Sequence, residues 1–157
     1  MLVVNIYGIP GSQKSRFLSS AFSTLSYKNQ DCTIIGDFNI DLNKNMFHIL
    51  GEIIDKLDSA KHNDVVIINT PLLFQSVYYR QTELPNPDMF EILTYQLYQD
   101  YNNINIVVAD PNNTYIYRDL IDMFNKYELP YETVKGVDDY AWTSVLQNIL
   151  NKLREKF

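Results

Sequence analysis

The sequence is poor in the residues on which several specialised classes of protein depend. Its 157 residues include one cysteine, five glycines and six prolines. The single Cys32 excludes a disulfide framework and fits a reducing compartment, and so few glycines and prolines exclude collagen-like and linker-like chains. No apolar run approaches the ~20 residues that cross a bilayer, and the apolar N-terminus lacks the basic region and cleavage site of a signal peptide. We therefore expect a cytoplasmic protein without a membrane partner.

Positive charge is also scarce. The chain has 13 lysines and arginines against 19 aspartates and glutamates, which gives a net charge of −6. A protein that binds duplex nucleic acid needs a basic face to neutralise phosphates. The charge balance therefore argues against nucleic acid as the main partner.

What the chain does have is a regular alternation of apolar runs and amphipathic segments. Its length suits one domain, which we assign to residues 1–157. Strands are predicted at 2–7, 32–35, 64–69, 104–109 and 131–134. Helices are predicted at 15–27, 44–62, 87–101 and 114–127, with a last one beginning at Asp138 or Asp139. Because strands alternate with helices and the central strands are continuously apolar, we predict an α/β three-layer sandwich with a five-stranded parallel sheet.

Periodicity also predicts which helical residues face the core. In the helix at 44–62 the predicted stripe is Phe47, Leu50, Ile53, Ile54 and Leu57. In the helix at 114–127 it is Tyr115, Leu120, Ile121 and Phe124. Asp41 or Asn43 is the expected cap of the first of these helices, and Asn86 is the expected cap of the helix that begins at Pro87.

The first strand runs directly into a phosphate-loop-like segment, Gly8-Ile9-Pro10-Gly11-Ser12-Gln13-Lys14-Ser15. In the pattern G-x-x-x-x-G-K-[ST], Gly8, Lys14 and Ser15 are in register. Such a loop cradles phosphates with backbone N–H groups and a helix N-terminus, while the lysine reaches the terminal phosphates and the hydroxyl ligates Mg²⁺. The alternative reading is an ordinary strand-to-helix turn with Lys14 and Arg16 at the surface.

One position of this loop departs from the pattern, since Gln13 stands where the second glycine is expected. Glycine there tolerates backbone angles that are costly for other residues and leaves room for the phosphate. A side chain would cost about 1–3 kcal/mol if those angles were kept.

With these residues the chain resembles the small P-loop kinase-like ATPases of many bacteriophages, related to the ribosylnicotinamide-kinase-like domain of NAD-biosynthesis regulators. The similar segments are LVVNIYGIPGSQKSRF at 2–17, IIGDFNIDL at 34–42, VVIINTPLLF at 65–74, NINIVV at 103–108 and YELPYETVKGV at 127–137. The resemblance implies a nucleotide-kinase-type parallel sheet, binding of ATP or GTP with Mg²⁺, and phosphoryl transfer to a nucleoside or nucleotide. It also implies that the protein is located in the cytoplasm of a host cell if the chain is phage-encoded.

The resemblance assigns roles to individual residues. Lys14 and Asp37 are implied as catalytic, and Ser15 and Asn69 as the metal positions, although Asn69 replaces the family's aspartate. The nucleotide-binding positions implied are Gly8, Gly11, Ser12, Gln13, Lys14 and Ser15.

The acceptor side of the site is predicted from two residues. Asp37 matches the family's acidic position near the acceptor. Arg80 precedes a polar loop, 81–87, that is expected to emerge at the carboxyl end of the third strand, where an arginine could contact an acceptor phosphate. A solvated surface arginine is the alternative. No cysteine or histidine partner gives His48 or His62 the spacing of a zinc site.

Several parts of a phosphoryl-transfer site are missing from the sequence. The loop glycine and the metal-orienting aspartate are replaced, and the lid that carries arginines in the family shrinks to Asp110-Pro111-Asn112-Asn113. Loss of one charge stabiliser can slow a reaction by about 10²–10³-fold. Two functions follow as hypotheses: a nucleotide- or phosphate-binding protein with impaired transfer, or a non-catalytic module that contacts a protein partner such as a host factor.

Overall fold

The computed structural model describes residues 1–9, 18–19, 21, 23–24, 31–35, 44–69, 71–135 and 139–155. Its strands are β1 Leu2–Tyr7, β2 Cys32–Ile35, β3 Val65–Asn69, β4 Asn102–Val108 and β5 Glu132–Val134. Its helices are α1 Met46–Ser59, α2 Leu72–Gln81, α3 Pro87–Gln99, α4 Tyr115–Lys126 and α5 Asp139–Arg154. Residues 18, 19, 21, 23 and 24 are also helical. No helix in the described ranges is long and apolar enough to cross a membrane.

The five strands form one parallel sheet in the order β2-β3-β1-β4-β5. In the register of the central strands, Ile6 pairs with Asn69 on one side and with Ile106 on the other. β1 is buried along its whole length and β3 along all but its last residue. The predicted α/β class with a five-stranded parallel sheet is confirmed.

Apolar clusters cover both faces of the sheet. On one face Val4, Ile6 and Ile67 pack with Leu18 and Ala21, and the inner side of α5 joins this cluster through Trp142, Val145 and Ile149. On the other face, residues of α1 to α4 form two clusters over the alternate strand residues. Right-handed crossovers predict this division. The connection from β1 to β2 crosses the sheet in the opposite direction to the later connections, so its helical residues lie on the opposite face from α1 to α4.

Helix α1 corrects two of the predictions. Its buried residues are Met46, Ile49, Leu50, Ile53 and Leu57, so the inner face is rotated from the predicted stripe. Phe47 is 67% exposed and Ile54 is 46% exposed. The cap is Asn45, whose Oδ1 accepts a hydrogen bond from the His48 backbone N–H at 2.9 Å. Asp41 and Asn43 therefore do not occupy the cap position, and both lie outside the described residues.

Smaller corrections concern the later helices. Asn86 does precede α3, but its φ is 55° and its side chain makes no capping hydrogen bond. Tyr115 is 64% exposed, whereas Leu120 and Phe124 are buried as predicted. Helix α2 was not predicted, because no element was assigned between the strand at 64–69 and the polar loop at 81–87.

Candidate functional site

The strand order creates a crevice at the carboxyl edge of the sheet. β1 lies between β3 and β4, and its connection leads toward β2, whereas β4 connects in the opposite direction to β5. Ligands of open parallel sheets bind where neighbouring connections diverge in this way. Gly8 and Ile9 continue from β1 at this point, so the phosphate-loop-like segment begins at the crevice.

The described residues include three of the predicted site positions. Gly8 follows β1, Asn69 is the last residue of β3, and Arg80 lies in α2. The remaining predicted positions lie outside the described residues: Gly11, Ser12, Gln13, Lys14, Ser15 and Asp37. Their assignments stay predictions.

Asn69 carries a polar atom without a partner at this edge. Its Oδ1 is buried and accepts no hydrogen bond within the described part of the chain. Asn69 alternates with Ile67 and Val65, so it lies on the sheet face that packs against Leu18 and Ala21. An unpaired buried amide oxygen costs about 1–3 kcal/mol. Asn69 lies beside the end of β1, on the face that carries the helical residues after the loop. In this position its Oδ1 could ligate a cation or accept a hydrogen bond from a bound ligand.

Tyr7, the last residue of β1, is a second case of an unpaired polar atom. Its ring is fully buried and packs edge-on against Phe74 and Phe124, with ring centroids 6.1 and 5.1 Å away. Burial, and to a smaller extent Tyr98, raises the pKa of the Tyr7 hydroxyl well above its ordinary value. Within the described ranges this hydroxyl has no hydrogen-bond partner. The aromatic contacts therefore fix the end of β1 while the hydroxyl opposes folding.

Tyr7→Phe is expected to raise the free energy of unfolding by about 1 kcal/mol, because it removes a buried hydroxyl that forms no hydrogen bond. Urea unfolding measures the change. Tyr98→Phe is the matched control, since the Tyr98 hydroxyl accepts a hydrogen bond from Asn105 Nδ2 at 2.6 Å. The control should destabilise the protein. Destabilisation by both substitutions alike would show that the Tyr7 hydroxyl is satisfied.

A buried amide network that was not predicted from the sequence joins β1 to β4. Asn5 Nδ2 donates to Asn103 Oδ1 at 2.9 Å and to Asn105 Oδ1 at 3.1 Å. Asn105 in turn donates to the Tyr98 hydroxyl and to the Pro130 carbonyl. The available signal was Asn5 in the otherwise apolar β1 and the asparagines at 102, 103 and 105 in β4. Because buried amides require partners, this network favours one register of the two strands that border the crevice.

Asp110 fixes the connection that leaves β4. Its Oδ1 accepts from the Asn112 backbone N–H at 3.0 Å, and its Oδ2 accepts from the Thr114 backbone N–H at 2.7 Å. Thr114, through its nearby hydroxyl and its backbone N–H, and then the Asn112 backbone N–H lower the pKa of this carboxyl, although the buried Thr114 hydroxyl forms no hydrogen bond in the described part of the chain. The segment between β4 and α4 is therefore a short turn tied to its own aspartate. No lysine or arginine lies within residues 109–114.

Arg80 forms ion pairs with carboxylates, and it lies far from the start of α2. Its guanidinium donates to Asp88 Oδ1 at 2.5 Å and lies 3.9 Å from Glu91 Oε1. The hydrogen bond with Asp88 raises the pKa of Arg80. Eight residues of helix, about 12 Å, separate it from Leu72. The structure thus gives Arg80 carboxylate partners on α3, and its proposed contact with an acceptor phosphate stays a prediction.

No protein-family model matches the chain, and no curated protein matches it. Within the described ranges, no group of three or more histidine, cysteine, aspartate or glutamate side chains could hold a metal ion. The site is therefore characterised by the strand order, the loop sequence and the groups at the carboxyl edge.

Proposed function

We propose that the chain is a P-loop nucleoside- or nucleotide-kinase-like protein that binds a nucleotide or another phosphate ligand, with impaired phosphoryl transfer. The observation that carries this proposal is the position of the loop sequence. Gly8 follows the central strand of a parallel sheet, at the divergence of the β1 and β4 connections, and helical residues follow from Leu18. This strand–loop–helix context is the one that a phosphate loop requires.

The residues of the loop supply most of the binding chemistry. Lys14 provides a positive charge for phosphate oxygens, and backbone N–H groups at the start of a helix favour an anion. Ser15 and the amide oxygen of Asn69 are the oxygen donors for a magnesium ion. When bound, this ion would neutralise charge between the phosphate groups. Asp37 is the residue assigned to the acceptor.

The same edge of the sheet explains why transfer is impaired in this proposal. Asn69 supplies a neutral oxygen where a carboxylate would attract the metal more strongly, and Gln13 adds a side chain to the loop. The turn at 109–114 brings no cation over the phosphates. Because phosphoryl transfer depends on positioning and charge stabilisation, these three changes together should leave binding stronger than catalysis.

Calorimetric titration with ATP and GTP in the presence of Mg²⁺ tests the proposal. We expect micromolar binding by the natural sequence and a loss of at least tenfold in Lys14→Ala, because charge-assisted hydrogen bonds to phosphate contribute about 1.5–3 kcal/mol. Lys61→Ala is the matched control, since it removes an exposed lysine that pairs with Asp58.

The control should leave the affinity unchanged. Absent or millimolar binding by the natural sequence would remove the nucleotide proposal. Equal losses in the two lysine variants would attribute binding to overall charge and would contradict the role of the loop.

A further inference from the structure

A groove on the opposite face from α5 is lined by side chains of α2, α3 and α4 and by the turn after α2. Its volume is about 570 Å³. The lining includes Arg80 and Lys126 but also five carboxylates, so the groove carries net negative charge. None of these residues belongs to the predicted phosphate loop.

The two cations of the groove are already held by carboxylates of α3. Arg80 pairs with Asp88 at 2.5 Å, and Lys126 pairs with Glu91 at 2.6 Å. Glu91 is buried and also accepts a hydrogen bond from the Tyr127 hydroxyl at 2.7 Å. These pairs join α3 to α2 and to the last residue of α4.

Three further carboxylates line the groove without a direct ion pair. Glu83, Asp119 and Asp122 form no salt bridge in the part of the chain that the structure describes, and Asp119 accepts an amide hydrogen bond from Gln81 at 2.6 Å. Asp119 also lies close enough to Arg80 to help Asp88 and Glu91 raise the pKa of that guanidinium. With five carboxylates against two cations, the lining has a net formal charge of −3.

Exposed apolar side chains lie in this groove and beside it. Tyr115, which is 64% exposed, lines the groove on α4. On α3, Ile92 is 51% exposed. Ile92 is four residues from Asp88, so the two are neighbours on the helix surface. Aromatic residues are enriched in protein interfaces, so Tyr115 adds an apolar contact to the charged lining.

We propose that this groove is a docking surface for a basic segment of a partner protein, one that alternates lysine or arginine with apolar residues. The cations of the segment would pair with Glu83, Asp119 and Asp122. Its apolar residues would cover Tyr115 and Ile92. Charge complementarity of this kind sets the choice of partner and accelerates association. The proposal does not depend on nucleotide binding.

The test uses a labelled eight-residue peptide of alternating lysine and leucine, and the same peptide with glutamate in place of lysine. Fluorescence anisotropy should show binding of the lysine peptide alone, weakened by salt. The double variant Asp119→Asn/Asp122→Asn should lower its affinity at least tenfold. Asp119→Asn keeps a side-chain oxygen that can accept the hydrogen bond from Gln81. The matched control is Asp55→Asn/Asp58→Asn, which makes the same charge change on exposed residues of α1.

The control should change the affinity less than twofold, and both double variants should keep the urea midpoint of the natural sequence. Failure of the lysine peptide to bind, or equal losses in both double variants, would overturn the proposal. So would self-association in light scattering that the groove variant abolishes, since the occupant would then be a second copy. Titration of the groove variant with ATP and Mg²⁺ separates the two proposals, because its nucleotide affinity should be unchanged.

Discussion

Phe124→Ala is expected to lower the free energy of unfolding by about 3–5 kcal/mol, the usual cost of emptying a buried phenylalanine site. The Phe124 ring is 1% exposed. It packs edge-on against Tyr7 at 5.1 Å and stacks on Tyr131 at 4.9 Å, so it joins α4 to the end of β1 and to the segment before β5. A loss of this size is a large share of the 5–15 kcal/mol that stabilises a typical domain. Urea unfolding measures it.

Phe47→Ala is the matched control for that substitution. Because Phe47 is 67% exposed, the same chemical change should cost no more than about 0.5 kcal/mol. The two variants also decide between the predicted and the observed faces of α1. A cost at Phe47 equal to the cost at Phe124 would contradict the observed orientation of this helix.

The face of α1 illustrates what periodicity leaves undetermined. Met46, Ile49 and Ile53 recur at helical spacing, and so do Phe47, Leu50 and Ile54. Both sets define an apolar stripe. The second set is offset from the first by one residue, which is about 100° around the helix axis, and of its members Leu50 is buried. The sequence therefore predicted the helix but not its orientation, which the sheet and the helices beside it select.

Helix α2 was missed because its sequence shows no apolar stripe, whereas α1 shows two. Its side chains from 73 to 77 and at 79 are all buried, including the polar Gln75 and Ser76. A helix that is buried on most sides has no amphipathic period, and a short apolar run of this kind reads equally well as a strand. Its position between the sheet and α3 explains the pattern, and this packing is not visible from the local sequence.

The parallel sheet was predictable because its central strands are rich in apolar residues and a helix could be predicted between successive strands. The groups at its carboxyl edge were predictable only in part. Asn69 was assigned through the resemblance, which places it at the position of the family's metal-orienting aspartate, whereas the unpaired state of its oxygen depends on neighbours that are distant in sequence. The Arg80–Asp88 pair was not predictable either, since it forms only when α2 and α3 pack together.

Gln13→Gly is expected to raise the affinity for ATP with Mg²⁺ by about 5- to 150-fold. This range converts the roughly 1–3 kcal/mol that a side chain costs at a backbone conformation suited to glycine. Greater freedom of the unbound glycine loop offsets part of the gain. Calorimetric titration measures the change, and Gln13→Ala separates its two causes, because alanine shortens the side chain but keeps the Cβ.

A gain with glycine alone would indicate backbone strain in the loop, and equal gains with glycine and alanine would indicate that the glutamine side chain occupies phosphate volume. No gain in either variant would contradict a phosphate-binding geometry for this segment, even if the natural sequence binds a nucleotide elsewhere. Lys14→Ala should lower the affinity for ATP and Gln13→Gly should raise it, so the two substitutions test the same loop through opposite expected effects. A change in overall charge cannot produce both results, since position 13 is uncharged in every variant.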